Sequence, residues 1–165
     1  MKRFIAASLV AVLAALALSA PSALAARAAQ QPNIVELAAG NRQFSVLVRL
    51  VRAAGLVGAL SGRGQLTVLA PTNAAFAKVP RATLDALAKD RRALRRVLLY
   101  HVIRGAVPAR KIVTLRSAPT LAGPKVHIRV SGRSVFVNKA KVIRTDLRAS
   151  NGIVHVLGGV LIPPN

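Results

Sequence analysis

The side chains of this sequence that could do acid–base or metal chemistry are three histidines and four acids. They are His101, His127, His155, Glu36, Asp85, Asp90 and Asp146. Their scattered positions lack the spacing of a metal site, a carboxylate pair or a nucleophile with its base. Cysteine is absent, which excludes thiolate zinc sites, a cysteine nucleophile and disulfide bonds. The residues therefore predict a protein that is not an enzyme and that uses neither a cofactor nor a metal.

Two of the histidines are predicted to be structural. His101 follows Tyr100 at the end of a helix with an aliphatic inner face. Its imidazole is therefore expected to form a hydrogen bond with a backbone carbonyl, and the Tyr100 hydroxyl is expected to form a hydrogen bond nearby. His155 lies between two valines of a strand and should point to the opposite face from them. His127 alternates with apolar residues on the polar face of a hairpin, where we expect it to be exposed.

The charge balance is the strongest compositional feature. The 165 residues include 25 Lys and Arg against 4 acids, a net charge of +21, and 53% are hydrophobic. Such apolar content is typical of one folded domain and not of a disordered basic tail. With no Trp, one Tyr and four Phe, a stacking platform for single-stranded nucleic acid is not expected. No motif that reads a DNA groove is present, so sequence-specific nucleic-acid binding is not expected either.

A helix predicted over residues 91–101, with Asp90 as its cap, concentrates this charge. Its inner stripe consists of Leu94, Val97, Leu98 and His101. Its outer face consists of Arg91, Arg92, Arg95 and Arg96. The two i, i+4 arginine pairs each cost the isolated helix ~0.2–0.5 kcal/mol. Two interpretations stay open: a solvated face, or a surface that captures an anionic polymer such as lipopolysaccharide, teichoic acid, acidic exopolysaccharide or released DNA.

The first 25 residues are predicted to be a signal peptide. Lys2 and Arg3 precede an uncharged apolar run, and Ala23-Leu24-Ala25 is typical of a cleavage site. The competing interpretation is a transmembrane anchor, which needs ~20 predominantly apolar residues. The alanine-rich composition favours cleavage, which leaves residues 26–32 as a flexible arm. The mature protein is then expected to be secreted or periplasmic, with no transmembrane segment.

Helical spacing dominates the first part of the chain after this arm. Asn33 and Glu36 form a candidate capping box, and apolar residues from Phe44 to Val51 follow a helical period. A short helix is expected over residues 56–60. Either Thr72 or Asn73 can cap a further helical turn.

Strand patterns dominate the rest. Residues 65–70 form a nearly continuous apolar run typical of a buried strand. Residues 126–131 and 134–138 alternate around the two-residue turn Gly132-Arg133, which predicts a hairpin. Further strands are expected over residues 141–145, 152–157 and 160–162. Helices followed by an antiparallel meander predict an α+β fold.

Three segments together resemble a fasciclin domain, and the resemblance covers residues 33–164. The first runs from Thr67 to Phe76, the second from Leu99 to Ile103, and the third from Ala149 to Leu157. The resemblance implies a β-sandwich wedge of two sheets with a layer of helices on one side. The residues that carry its structural motif are Thr67, Pro71, Thr72, Asn73, Phe76, Asn151, Gly152 and His155. It also implies that Tyr100 and His101 help to shape an adhesion or ligand surface.

Two positions depart from the family pattern. Asn73 stands where the family usually has Asp, and Asn is still expected to cap its own helix without the favourable charge–dipole interaction of ~0.3–1 kcal/mol. Gly158 stands where an acid is usual, so any role of that acid is absent. The resemblance and the charge together predict a non-enzymatic module for adhesion or matrix association. Its expected partners are anionic polymers or a surface protein. A carrier of an apolar small molecule, such as a carotenoid, is the alternative.

Overall fold

A computed structural model describes residues 31–164 of the chain. Its helical elements are α1 (Ile34–Ala39), a 3₁₀ turn (Arg42–Phe44), α2 (Ser45–Ala53), α3 (Val57–Ser61), α4 (Asn73–Ala77), α5 (Arg81–Lys89), α6 (Arg91–Tyr100) and α7 (Ala109–Ile112). The predicted signal peptide and residues 26–30 of the predicted arm lie outside this range. Within it, the Pro32 carbonyl already accepts a hydrogen bond from the Ser150 N–H at 3.0 Å.

Three helices, α1, α4 and α6, begin where a neighbouring side chain accepts from free backbone N–H groups of the first turn. The capping box of Asn33 and Glu36 is formed at α1, as predicted. Asp90 accepts from the N–H groups of Arg92 and Ala93 at α6, again as predicted. At α4 the capping side chain is Thr72, which accepts from the Ala75 N–H at 3.2 Å.

The strands form one connected ladder in the order β2-β1-β7-β6-β5-β4-β3. They are β1 (Leu66–Pro71), β2 (Val102–Arg104), β3 (Ser117–Pro119), β4 (Lys125–Ser131), β5 (Ser134–Val137), β6 (Ala140–Ala149) and β7 (Gly152–Leu157). Neighbours are antiparallel except β1 and β7, which are parallel. A bridge between Ile103 and Thr120 brings the two ends of the ladder together. The α+β architecture is therefore confirmed.

The β4–β5 hairpin has the predicted turn. Ser131 pairs with Ser134, and Gly132 has a φ of 56°, as the first central residue of a two-residue hairpin turn requires. Val126 and Ile128 are buried, whereas His127 between them is exposed. The alternation predicted for this hairpin is confirmed at these positions.

Two predicted strands need correction. β6 is twice as long as the predicted strand and continues to Ala149 through two register shifts. No strand forms at residues 160–162, where the Leu161 N–H instead donates to Nε2 of His101. Three short elements, β2, β3 and α7, were not predicted, since three- and four-residue elements carry too little periodicity to detect.

Two apolar cores lie on the two faces of the central strands. Val68 and Ala70 of β1 pack with the helix layer, while Leu69 between them packs with the hairpin strands β4 and β5. In β7, Val154 packs with the helix layer and Leu157 packs with the hairpin strands. Because both faces are covered, β1 is apolar except at Thr67, which agrees with the nearly continuous apolar run in the sequence. The result is a helix layer, a central sheet region and the hairpin region folded over it.

Candidate functional site

The arginine-bearing face of α6 is exposed, and its opposite face is buried. Leu94, Val97 and Leu98 pack into the interior, while the four arginines lie at the surface. The amphipathic division predicted from the sequence is confirmed. We call Arg91, Arg92, Arg95 and Arg96 the α6 face.

Two of these arginines reach the carboxyl end of α2. The Arg95 guanidinium donates to the Ala54 carbonyl at 3.3 Å. Arg91 lies over Gly55, so close that a Cβ at Gly55 would be 2.5 Å from Arg91 Nη2. Carbonyl groups at a helix carboxyl end carry partial negative charge and favour nearby cations. The α6 face therefore contacts the carboxyl end of α2, and this contact offsets part of its positive charge in a protein with few acids.

Arg96 holds the end of the described chain. Its guanidinium donates to the Pro164 carbonyl at 2.7 Å. All four side chains remain exposed, so their charge is available to a partner as well. A role for the α6 face in binding stays a prediction.

Tyr100 and His101 do not lie on a surface, which corrects their placement in the candidate binding surface. Each is 2% exposed. The Tyr100 hydroxyl donates to the Lys125 carbonyl at 3.1 Å and accepts from the Asn138 amide at 3.1 Å. The pair follows the buried stripe of α6 into the interior, so a partner cannot touch it directly.

His101 is a core histidine, as the aliphatic stripe predicts. Its Nδ1 lies 2.8 Å from the Val97 carbonyl, and its Nε2 accepts from the Leu161 N–H at 2.9 Å. These partners require the neutral ring with the proton on Nδ1. Burial disfavours the imidazolium and lowers the pKa of His101 from 6.5 to about 4, against the smaller raising effect of the Val97 carbonyl. The ring is thus uncharged near neutral pH and ties the segment after β7 to α6.

His155 is also structural. It is fully buried, with Nε2 2.8 Å from the Val107 carbonyl and Nδ1 accepting from the Asp146 N–H at 3.3 Å. Thr67 holds the same loop, since its hydroxyl donates to the Gly105 carbonyl at 2.6 Å and accepts from the Val107 N–H at 2.8 Å. The two motif residues fasten the loop between β2 and α7 to the central strands.

Asn151 and Gly152 form the second fixed point. The buried Asn151 side chain accepts from the Ile34 N–H at 2.9 Å and donates to the carbonyls of Leu60 and Gly62. A Cβ at Gly152 would overlap the backbone of Leu66, and its φ of 153° is one that side-chain-bearing residues rarely adopt. This motif joins the helix layer to the sheet.

Asn73 has a different role from the one predicted. It does not cap α4; instead its Oδ1 accepts from the Val46 N–H at 3.0 Å in the first turn of α2. Its amide donates to the Arg42 carbonyl and to the Ser45 hydroxyl, both at 2.9 Å. An amide supplies these two donors, whereas a carboxylate supplies none.

The remaining motif positions are packing positions. Pro71 ends β1 beside Leu157 of β7, and Phe76 is buried under the helix layer. At Gly158, where the family usually has an acid, the backbone carbonyl accepts from the Lys78 ammonium at 3.0 Å. The motif residues described above therefore hold the fold together through packing and hydrogen bonds.

An open surface groove between α1 and β6 was not predicted from the sequence. Its volume is about 620 Å³. Its side chains include Glu36, Leu37, Arg42, Arg144, Leu147 and Arg148. The signal that could have pointed to it is Asp146 in a strand pattern, since Asp is rare in regular strands and common at irregularities. We call it the α1–β6 groove.

A second cavity lies beneath α1 and α2, against β1, β2 and β7. It is lined by apolar side chains and His101, and its volume is about 30 Å³. Ligand sites for small molecules typically enclose about 300–1,000 Å³. In this conformation the cavity is too small for a carotenoid.

Neither a metal cluster nor a membrane span is visible between residues 31 and 164. The His, Asp and Glu side chains in this range do not form a group of three or more that could hold a metal ion. None of the helices described is both long and apolar enough to cross a membrane.

Comparison with known proteins decides the family. The family model of the fasciclin domain matches residues 42–163. This chain belongs to the fasciclin domain family. The resemblance drawn from the three motif segments is thereby confirmed, and so is the fasciclin-type fold.

The relatives of this fasciclin domain include surface proteins. Protein sll1483 of Synechocystis sp. is 46% identical over 134 residues, which cover 80% of this chain and 74% of the relative. The cell surface glycolipoprotein MPB83 of Mycobacterium bovis is 35% identical over 141 residues, which cover 82% of this chain and 62% of the relative. A solved FAS1 domain pair from the insect cell adhesion molecule fasciclin I has a TM-score of 0.47 and 22% identity, and the match covers 77% of this chain and 43% of that chain.

Proposed function

We propose that this fasciclin domain is a secreted or periplasmic, non-enzymatic binding module that attaches to anionic polymers of a cell surface or matrix. The observation that carries the proposal is the exposure of four arginines on one helix face, in a chain with 25 basic residues and 4 acids. A surface potential of this kind attracts polyanions over a Debye length of about 8 Å at physiological salt. The surface location in the name of one relative agrees with it.

Heparin resin and lipopolysaccharide resin test the attachment. The protein should elute only at high salt, and replacing all four arginines of the α6 face by Gln should lower the salt required. The matched control replaces Arg104, Arg110, Arg116 and Arg133, which are also exposed, and removes the same charge. Elution of the two variants at the same salt would show that total charge, and not the α6 face, governs binding. Failure of the wild-type protein to bind either resin would overturn the proposal.

Export is tested on the whole chain. Because residues 1–25 have the pattern of a signal peptide, the extracellular or periplasmic protein should begin at Ala26 when its mass is measured. Intact protein recovered from the cytoplasm would contradict export.

A carrier of an apolar small molecule is the second proposal. Its support is the apolar lining of the cavity beneath α1 and α2, and its volume of about 30 Å³ means that α1 would have to move to admit a ligand. Incubation with a carotenoid extract followed by gel filtration tests it. A visible absorption band that travels with the protein supports the carrier, and colourless protein counts against it.

A further inference from the structure

We propose that the α1–β6 groove binds a short segment of an acidic oligosaccharide through its carboxylate or sulfate groups. This inference rests on the proposed function in that the partner is an anionic polymer. It adds a local site to the diffuse attraction of the basic surface. The α6 face and the groove are then two separate elements of binding, one on a convex helix and one in an open surface groove.

The groove brings together cations from distant parts of the chain. Arg42 comes from the 3₁₀ turn after α1, and Arg144 and Arg148 come from β6. All three residues are exposed and belong to the groove lining, and the pairing of Arg148 with Ile153 puts it on the opposite side of β6 from Arg144. Leu37 of α1 and Leu147 of β6 are half-buried and line it as well. A cleft with several guanidinium groups and an apolar surface is thus open to a ligand.

A bulge in β6 is what turns Arg144 toward α1. Arg144 pairs with Val156 and Leu147 pairs with Val154, so three steps along β6 match two steps along β7. The extra residue places Arg144 and Leu147 on the same side of the sheet, whereas residues three apart in a regular strand lie on opposite sides. Val154 and Val156 face the helix layer, so this is the side on which α1 lies.

Asp146 holds the bulge and leaves the arginines uncompensated. It has a φ of 57°, and its carboxylate accepts from the Ala109 N–H at 2.9 Å. Its own N–H donates to Nδ1 of His155. The carboxylate therefore points to the start of α7, although it lies two residues from each arginine of β6. Asp146 is a positioning residue for the groove.

One acid lines the groove beside the three arginines. Glu36 accepts from the Asn33 N–H at 2.9 Å as part of the capping box of α1. The Glu36 carboxylate already accepts this hydrogen bond. Its single negative charge is smaller than the three positive charges of the guanidinium groups. The groove therefore keeps a net positive charge that favours an anionic ligand.

The shape and lining indicate the class of anion. Guanidinium groups bind carboxylate, sulfate and phosphate through paired N–H donors. A volume of about 620 Å³ lies in the range of sites for small ligands or short segments of a polymer. The leucines offer apolar surface to the C–H faces of sugar rings. Between residues 31 and 164, the large exposed apolar side chains that a membrane contact would use are Val113, Val130, Ile143 and Ile162, and none of these four lines the groove.

The experiment measures binding of a heparin hexasaccharide and a polygalacturonate hexasaccharide by calorimetry at low salt. The double variant Arg144→Gln with Arg148→Gln should lose about tenfold or more in affinity, since each arginine hydrogen bond to a charged group is lost. The matched control, Arg129→Gln with Arg133→Gln on the β4–β5 hairpin, removes the same charge and should lose less than about threefold. Arg144→Lys keeps the charge and loses the paired donors, so it should lie between.

The outcomes separate this inference from the proposed function. Equal losses in the groove and control variants overturn the groove site, while retention of the wild-type protein on heparin resin would leave the proposed function in place. Absence of wild-type binding to hexasaccharides and resin alike overturns both. Groove-dependent binding to vesicles of anionic phospholipid without binding of either hexasaccharide also overturns the inference. Melting temperatures of all variants test whether a loss of affinity is caused by unfolding. Arg42→Gln is included as an additional single substitution outside β6.

Discussion

The α6 face and the α1–β6 groove are both rich in arginine, yet they are assembled in different ways. The α6 face comes from six consecutive residues of one helix, where a period of 3.6 places four arginines opposite a buried stripe. The groove comes from a 3₁₀ turn and a strand about one hundred positions apart in the sequence. One region depends on local structure, and the other depends on how β6 and β7 pair.

The two regions therefore depend on different structural contacts. The α6 face persists as long as one helix stays folded on its apolar stripe. The groove needs the bulge of β6, the contacts of Asp146 and the close approach of β7 to β1. Substitutions that disturb long-range pairing should therefore affect the groove more than the α6 face.

The largest effect is expected from a matched pair of glycine substitutions. Gly152→Ala places a Cβ against the backbone of Leu66, which cannot move without shifting a strand, so unfolding free energy should fall by about 3 kcal/mol. Gly55→Ala, beneath the α6 face, meets the end of a flexible Arg91 side chain at a φ of 68°, and should cost about 1 kcal/mol. Urea denaturation measures both. Equal losses would remove the contrast between the two regions.

Acid should weaken the α6 side through His101. Because its pKa is lowered from 6.5 to about 4 in the folded protein, the unfolded chain takes up a proton at higher pH than the folded protein does. Stability is therefore full above pH 6.5, falls as pH decreases toward about 4, and loses about 3 kcal/mol in that window.

Denaturation at a series of pH values checks this expectation. His101→Gln should flatten the profile between pH 4.5 and 6.5, a window chosen to lie within the two pKa values of the ring. His127→Gln, at an exposed position, serves as the matched control. A slope that survives in His101→Gln would assign the pH dependence to other groups.

Smaller effects than those at Gly152 and His101 are expected at Asp146. Asp146→Ala removes the acceptor of the Ala109 N–H and should cost about 1–2 kcal/mol of unfolding free energy. It should also weaken hexasaccharide binding by about threefold, since Arg144 and Arg148 lose their fixed position. Asp146→Asn keeps an acceptor oxygen and tolerates the positive φ, so it should stay close to the wild type in both measurements. Equal hexasaccharide affinities in the two variants would contradict a positioning role for Asp146.

The features that could be predicted from the sequence are those that depend on near neighbours. Asn33 and Asp90 lie next to the N–H groups that they cap, and the Gly132-Arg133 turn needs only the conformation of two residues. The buried state of His101 follows from its place on the stripe of α6. Asn73 shows the limit, because its side chain caps α2, 27 residues earlier in the chain, while the cap of its own helix comes from Thr72.

The α+β class, the fasciclin family, the positive charge and the helix face with four arginines can all be recognised in the amino-acid sequence. The parallel pairing of β1 with β7, the bulge of β6 and the groove beside it are visible only in the folded protein. These two sets of features differ in the range of the interactions that create them. Periodicity and capping act within a few residues, whereas strand register and the side of a sheet on which Arg144 lies depend on partners that the chain meets only when it has folded.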